Sequence, residues 1–329
     1  MDNDLFRHAE TRVIPPRLID YDKGISAIDA DYVRRGLAAI HLIVEGGKAA
    51  LVDTGTSSSV AGVMEVLRKK DLAPADVAYV FTTHIHLDHA GGAGEFMYRF
   101  PNAKLVVHPR GARHMADPAR LVASAMTVYG EAEFKHMYGV IRPVDANRII
   151  EAPDGFTLDF NGRPLLFLDT PGHARHHYCI FDKKSQSFFT GDTFGLSYRE
   201  FDVDGMEFVF PTTTPVQFDP VAAHTSLDRI MSYDPAHAFL THYGRIGHLP
   251  RHAAGMHDLI DAHVTIARKL RDAPDRHATL VKELGELLLQ RIIAHGCKLP
   301  QEEIRELLRL DVGLNAQGLE HWLDQAGGG

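Results

Sequence analysis

The 329-residue chain has two cysteines, Cys179 and Cys297, and a single tryptophan, Trp322. So few cysteines exclude a disulfide framework and any cysteine-built zinc module. Long hydrophobic runs are also missing. The longest apolar stretch, Leu37 to Val44, is interrupted by His41, whereas a membrane span needs about 20 apolar residues. Basic charge is in deficit: 35 Lys and Arg face 43 Asp and Glu, a formal net charge of −8. Nucleic-acid binders normally carry the opposite balance. The opening residues, MDNDLFRHAE, are polar and acidic rather than signal-like. No internal repeat or low-complexity tract stands out. At 45% hydrophobic and 24% charged residues, the composition is that of a globular protein. The expectation is a soluble, cytoplasmic protein acting on a small molecule, with neither nucleic acid nor membrane as partner.

What the chain does have is histidine. Its 21 histidines outnumber Phe and Pro, at 17 each. Histidine is the commonest metal ligand and a proton shuttle near neutral pH, but composition alone does not distinguish ligands from surface residues. Spacing must.

Along the chain, apolar runs around the Gly46-Gly47 break (36–53) read as a hairpin. A helix-spaced segment follows (57–70), then a buried strand (77–84), a short helix ended by Pro101 and a strand at 104–108. Residues 110–145 are helical in pattern. Strand signals resume from 148 to 192, with an Asn161-Gly162 turn cue. A helix at 219–235 and a strand at 237–242 complete an α/β core. After Pro250 only helical periodicity remains, over 251–272, 276–296 and 300–310, with a last amphipathic piece reaching Trp322. The division expected is 1–249 for the α/β domain and 250–329 for a helical region capping the active-site edge. The tail helices and Trp322 would support a homodimer.

The sharpest feature is Thr83-His84-Ile85-His86-Leu87-Asp88-His89, at the end of a buried strand. In extended chain, residues i and i+2 point the same way, so His84 and His86 can grip one ion. The chain then turns beside Gly91-Gly92, bringing Asp88 and His89 to a neighbouring point. Three later strands also end in candidate ligands: LLFLDTPGH at His173, SFFTGD at Asp192 and AFLTH at His242. An N/O donor set without thiolate suits Zn, Fe, Mn or Co. Asp53 would either fix a ligand histidine by hydrogen bonding or cap its own turn.

The motif order HxHxDH, Gly-His, Gly-Asp and a last His, with LVDTG at 51–55, resembles the metallo-β-lactamase fold superfamily over residues 36–249. The resemblance implies a four-layer αββα sandwich and two divalent metal ions, Zn first and Fe or Mn as alternatives. His84, His86 and His173 would hold one ion. Asp88, His89 and His242 would hold the other, with Asp192 bridging. It further implies a hydrolase in which a metal-held hydroxide attacks an ester, thioester or lactone, with Asp88 and Asp192 as the catalytic carboxylates. Alternatives are a mono-iron oxidoreductase like the persulfide dioxygenases, or a regulatory ligand-binding protein with vestigial activity. Asp192 stands where classical zinc β-lactamases have cysteine, which argues against that substrate.

Other positions stay open between roles. His177 reads as a support for the site or an edge-strand surface residue. Tyr198 and Tyr243 are candidates to donate to a substrate oxygen, as tyrosines do in related lactonases. Phe194, Met206, Phe208 and Phe210 would line an apolar pocket or pack a core. Cys179 reads as a small buried hydrophobe. The basic run Arg268, Lys269, Arg271 and Arg276 reads as a solvated helix face. The tail histidines His252, His257, His263, His277 and His295 read as surface residues.

Overall fold

The computed structural model describes residues 17–214 and 216–326. Two sheets form the centre. The first is seven-stranded in sequence order: β1 (Leu18–Asp20), β2 (Ile25–Asp29), β3 (Ala39–Glu45), β4 (Lys48–Val52), β5 (Val77–Thr82), β6 (Lys104–Val107) and β7 (Ile149–Glu151). The second holds β8 (Thr157–Phe160), β9 (Arg163–Asp169), β10 (Tyr178–Asp182), β11 (Ser187–Gly191), β12 (His237–Leu240) and β13 (Gly244–Ile246), in the order β13-β12-β11-β10-β9-β8. The first sheet carries α1 (Val60–Lys69), α2 (Leu87–Ala90), α3 (Ala93–Arg99), α4 (Pro109–Ala116), α5 (Ala119–Tyr129) and α6 (Glu131–Tyr138) in its connections. The second carries α7 (Pro220–Met231) between β11 and β12 and is followed by α8 (Leu249–Lys269), α9 (Arg276–His295) and α10 (Gln301–Ala326). The α/β sandwich with a helical extension is thus present. Among the described residues no helix is long and apolar enough to cross a membrane.

Side-chain alternation on the central strands makes the layers. Val52, Phe81 and Val106 point between the sheets and meet Phe167, Phe189 and Phe239 from the other side. Leu51, Val80 and Leu105 point the opposite way, into the core under the helices. Successive residues of a strand face opposite sides, so strands buried on both faces must be apolar throughout. Phe81 and Phe167 meet edge-on at 5.4 Å. Full burial of each such side chain stabilises by ~1.5–3 kcal/mol.

Strand direction then chooses the functional rim. β4, β5 and β6 are mutually parallel. In the second sheet β10 runs antiparallel to both β9 and β11, and β12 runs parallel to β11. The carboxyl ends of β9, β11 and β12 therefore share one edge. The ends of parallel strands are where an open α/β sheet leaves room for a ligand.

Three features depart from the sequence expectation. β1, β2 and β13 lie outside the segments read as strands. The 300–310 helix and the last amphipathic piece are one 26-residue helix, α10. Gly313, Asn315 and Gly318 look like breakers, but two of them dock the helix. Asn315 Oδ1 accepts from Thr213 N at 2.6 Å, and its Nδ2 donates to Pro211 O at 3.1 Å. A Cβ at Gly318 would overlap Thr213 O. His252 and His263 are buried rather than on the surface. His263 lies on the apolar face of α8 and bonds Leu259 O through Nδ1 at 2.7 Å.

Candidate metal centre

β5 ends at Thr82, and the polar loop that follows is held by one buried carboxylate. Asp53, just past β4 with φ of 61°, accepts from Thr83 N at 2.7 Å, from Thr241 Oγ1 at 2.6 Å and from His89 Nδ1 at 2.8 Å. It thus joins the ends of β4, β5 and β12 and orients His89, the supporting role rather than a turn cap. The loop also joins the two sheets, because Tyr178 N donates to Thr83 O at 2.9 Å. Gly92 N donates to Gly55 O, and a Cβ at Gly92 would overlap the carbonyls of Thr54 and Thr56. Only glycine permits that approach.

All seven expected ligands converge. His84, His86 and His173 form one group and Asp88, His89 and His242 another, with the donor atoms of each group within 4.8 Å of one another. Asp192 sits between them. Its Oδ1 lies 3.2 Å from His89 Nε2 and 3.7 Å from His242 Nε2, and its Oδ2 lies 3.6 Å from His173 Nε2. Asp88 Oδ2 lies 3.3 Å from His242 Nε2.

The hydrogen bonds set the tautomers. His89 donates through Nδ1 to Asp53, and His242 donates through Nδ1 to Leu37 O at 2.7 Å. Both Nε2 atoms therefore face inward, 3.3 Å apart. His86 Nδ1 and His173 Nε2 face each other at 3.0 Å. Among the described residues, His84 Nε2 and Asp192 Oδ1 are buried without a hydrogen-bond partner. Donor atoms aimed at common points and left unsatisfied are costly unless a cation fills them. The residues present fit metal ions in these positions.

Electrostatics agree with the layout. Burial holds His84 well below the ordinary imidazole range, and the neighbouring His89 and His86 add to it. Burial, with His173, brings His86 down to about 3. Burial would also lower His89, but Asp192, Asp88 and Asp53 outweigh it and raise His89 well above the ordinary value. Burial would raise Asp192, but His89 and His242 keep it ionised. His177 supports the site through Asp192: its Nε2 accepts from Asp192 N at 3.2 Å, while Nδ1 lies 3.0 Å from Thr170 Oγ1. Cys179 is buried, and burial pushes its thiol up to about 12, consistent with a small hydrophobe.

His86, Asp88, Asp192 and His242 floor a cavity of about 330 Å³. Its walls include Tyr32, Leu37, Leu121, Tyr138, Leu196 and Tyr198, and α10 adds Leu310, Asp311 and Leu314. Tyr198 is therefore at the cavity, but its hydroxyl donates to Asp311 at 2.9 Å. Two expectations need correction. Tyr243 packs with Ala27 and Ala39 in a separate cluster, because the residue after His242 faces away from the cavity. Phe194, Met206, Phe208 and Phe210 do not line it either. Phe194, Phe208 and Phe210 belong to the core under the helices. Asp311, Tyr32 and Tyr138 were missed. They carry no local motif: Tyr32 comes from the β2–β3 connection, Tyr138 from α6 and Asp311 from α10, and only tertiary packing brings them together at the cavity.

Comparison with known proteins agrees with this architecture. The model of the metallo-beta-lactamase superfamily matches residues 33–242. The metallo-beta-lactamase fold-containing protein ST1585 of Sulfurisphaera tokodaii is 27% identical over 228 residues, 68% of this chain and 80% of its own. A hydroxyacylglutathione hydrolase of Synechococcus is 30% identical over 43% of this chain and 45% of its own. An N-acyl homoserine lactonase of Azorhizobium caulinodans is 34% identical over 24% of this chain and 34% of its own. The match thus spans less than half the length of either of these two enzymes. Among solved structures, TTHA1429 of Thermus thermophilus superposes with a TM-score of 0.63 at 20% identity, covering 92% of this chain and 94% of that one. That likeness concerns the fold. The family match extends from the approach to β3 to the last expected ligand, His242, and places the chain in the metallo-beta-lactamase superfamily.

Proposed function

We propose that this chain is a hydrolase that uses two divalent metal ions, zinc as the first candidate, to cleave a small ester, thioester or lactone. The observation that carries the reading is two ligand-like groups, His84/His86/His173 and Asp88/His89/His242, with Asp192 grouped with one histidine of each, His84 and His89, at the floor of a largely apolar cavity. His84, His86 and His173 would hold one ion, Asp88, His89 and His242 the other, and Asp192 would serve both. Bound ions would supply a water deprotonated near neutral pH and would polarise the carbonyl under attack. The N/O donor set accepts iron or manganese as well.

The chain's own residues do the rest. Asp88 is the more exposed of the two central carboxylates, so it faces the cavity and would orient the attacking water and hold its proton. Asp53 and Leu37 O fix the rings of His89 and His242. His177 fixes the backbone of Asp192. Tyr32, Leu121 and Leu196 would pack against the acyl portion and exclude bulk water. Hydroxyacylglutathione hydrolase, an acyl carrier protein thioesterase of Aspergillus chevalieri and an N-acyl homoserine lactonase are among the relatives, which supports the ester, thioester and lactone classes.

The test is metal content of protein purified without added metal, followed by turnover on matched esters, thioesters and lactones. Two ions per chain and turnover lost in His86→Ala are expected. A single iron with substrate-dependent oxygen uptake would replace the hydrolase by an oxidoreductase.

A further inference from the structure

Beside the cavity over the metal centre lies a second one of about 380 Å³, walled by Arg110, Arg113 and Arg175. The two share His114, His176 and Gln217 in their walls, so they adjoin. Arg110 and Arg113 are three residues apart on α4 and present one face. Arg175 follows β9 on a different segment. The two segments are tied together, since Arg110 Nη1 donates to Arg175 O at 2.8 Å and Arg175 N donates to Gln217 Oε1 at 2.7 Å.

The charge is unusual in its context. This chain carries a net charge of −8, and many of its arginines are paired, such as Arg34 with Glu200, Arg163 with Asp182 and Arg229 with Asp154. Among the described residues, Arg110, Arg113 and Arg175 make no ion pair, and their side-chain bonds run only to a carbonyl and to His114. Three unneutralised guanidinium groups around one concavity outweigh a single carboxylate. They match a phosphate monoester, which carries about −1.5 to −2 charges and three acceptor oxygens, in the forked geometry that arginine favours. His176 bridges the two regions. Its ring centre lies 5.5 Å from that of the expected ligand His86, and its Nδ1 is buried without a hydrogen-bond partner among the described residues.

We propose that the substrate is an ester or thioester whose leaving group ends in a phosphate, seated among Arg110, Arg113 and Arg175, while its acyl part fills the apolar cavity above the metal centre. This rests on the hydrolase reading for the position of the scissile bond, but not for the phosphate seat.

The metal-loaded protein serves for the test, with Arg110→Gln, Arg113→Gln and Arg175→Gln combined. All three side chains are exposed, so the variant should fold. Calorimetry compares phosphopantetheine with pantetheine, which differ only in the phosphate. Wild type should bind the phosphorylated thiol about tenfold more tightly or better. The variant should lose that preference while holding pantetheine as before. Kinetics then compare the S-hexanoyl thioesters of both thiols. The phosphorylated one should show about tenfold higher kcat/KM, mostly through KM, and the variant should equalise them. Equal binding of the two thiols, a preference that survives in the variant, or tighter arginine-dependent binding of glutathione would overturn the phosphate seat. Arginine-dependent binding of single-stranded RNA in preference to phosphopantetheine would overturn it too. A phosphate preference without turnover of either thioester, or of the matched oxygen esters, would sink the hydrolase reading and leave the seat standing.

Discussion

The floor and the wall of the active cavity are built on different principles. The floor takes four of its seven expected ligands from six consecutive residues, His84 to His89, and locks them with a buried polar network around Asp53. The wall takes Tyr198 from one end of the chain's second half and Leu310, Asp311 and Leu314 from the other, joined by the docking of α10 on residues 211–214. A buried network in which every donor is used tolerates little change, because one lost partner leaves the others unsatisfied. A packed helix can shift or be resurfaced at lower cost. The floor thus suits the chemistry and the wall suits the choice of substrate.

The comparison can be broken most forcefully at the floor. Asp192→Ala or His86→Ala should lower bound metal and reduce turnover by about a thousandfold or more, while α10 stays docked. Elemental analysis and hydrogen exchange on α10 would check both halves. Loss of exchange protection along α10 would show that floor and wall are one unit.

Next comes the brace. Asp53→Ala strands the donors of Thr83, Thr241 and His89. It should cost about 3 kcal/mol or more in denaturant unfolding and weaken metal binding about 10–100-fold. An unchanged metal affinity would reduce Asp53 to a structural turn.

At the wall, Gly318→Val drives a side chain into Thr213 O. It should destabilise by about 1–3 kcal/mol and alter KM, with metal content intact. Gly313 has open space around its Cβ position, so Gly313→Ala should instead stabilise by about 0.5–1 kcal/mol. Equal effects at both glycines would contradict the docking geometry.

The smallest effect expected is the pH dependence of Asp311. Burial lifts its carboxyl to about 6 from 3.8. The folded state therefore holds a proton that the unfolded state has released, and stability falls as pH rises through that window. Asp311→Asn should raise the melting temperature relative to wild type at about pH 8, and the gain should vanish near pH 4. A gain independent of pH would assign the effect to packing.

Much of the floor was legible in the sequence. His84 and His86 are two apart in extended chain, and His173, Asp192 and His242 each close an apolar strand, so the pattern is local. Asp53 stayed ambiguous because its partners Thr83, His89 and Thr241 lie 30, 36 and 188 positions away. The wall was misread for a related reason. Gly313 and Gly318 are weak helix formers, and only contact with residues 211–214 shows why Gly318 must be glycine. Tyr243 adjoins an expected ligand in sequence but turns away from the cavity. His263 looked like a surface residue, although its spacing from Leu259, Ile260, Val264 and Ala267 places it on the buried face of α8.

By itself the sequence determined the expected donor residues, the α/β alternation and the family, because each is written in residue types at short spacing. Tertiary structure alone decided which side chains enclose the cavity. Leu310 and Asp311 on α10, and Arg110 and Arg175 beside the cavity, meet only after two sheets stack and the tail helix packs across them. Burial and long-range docking, which leave no local periodicity, select them.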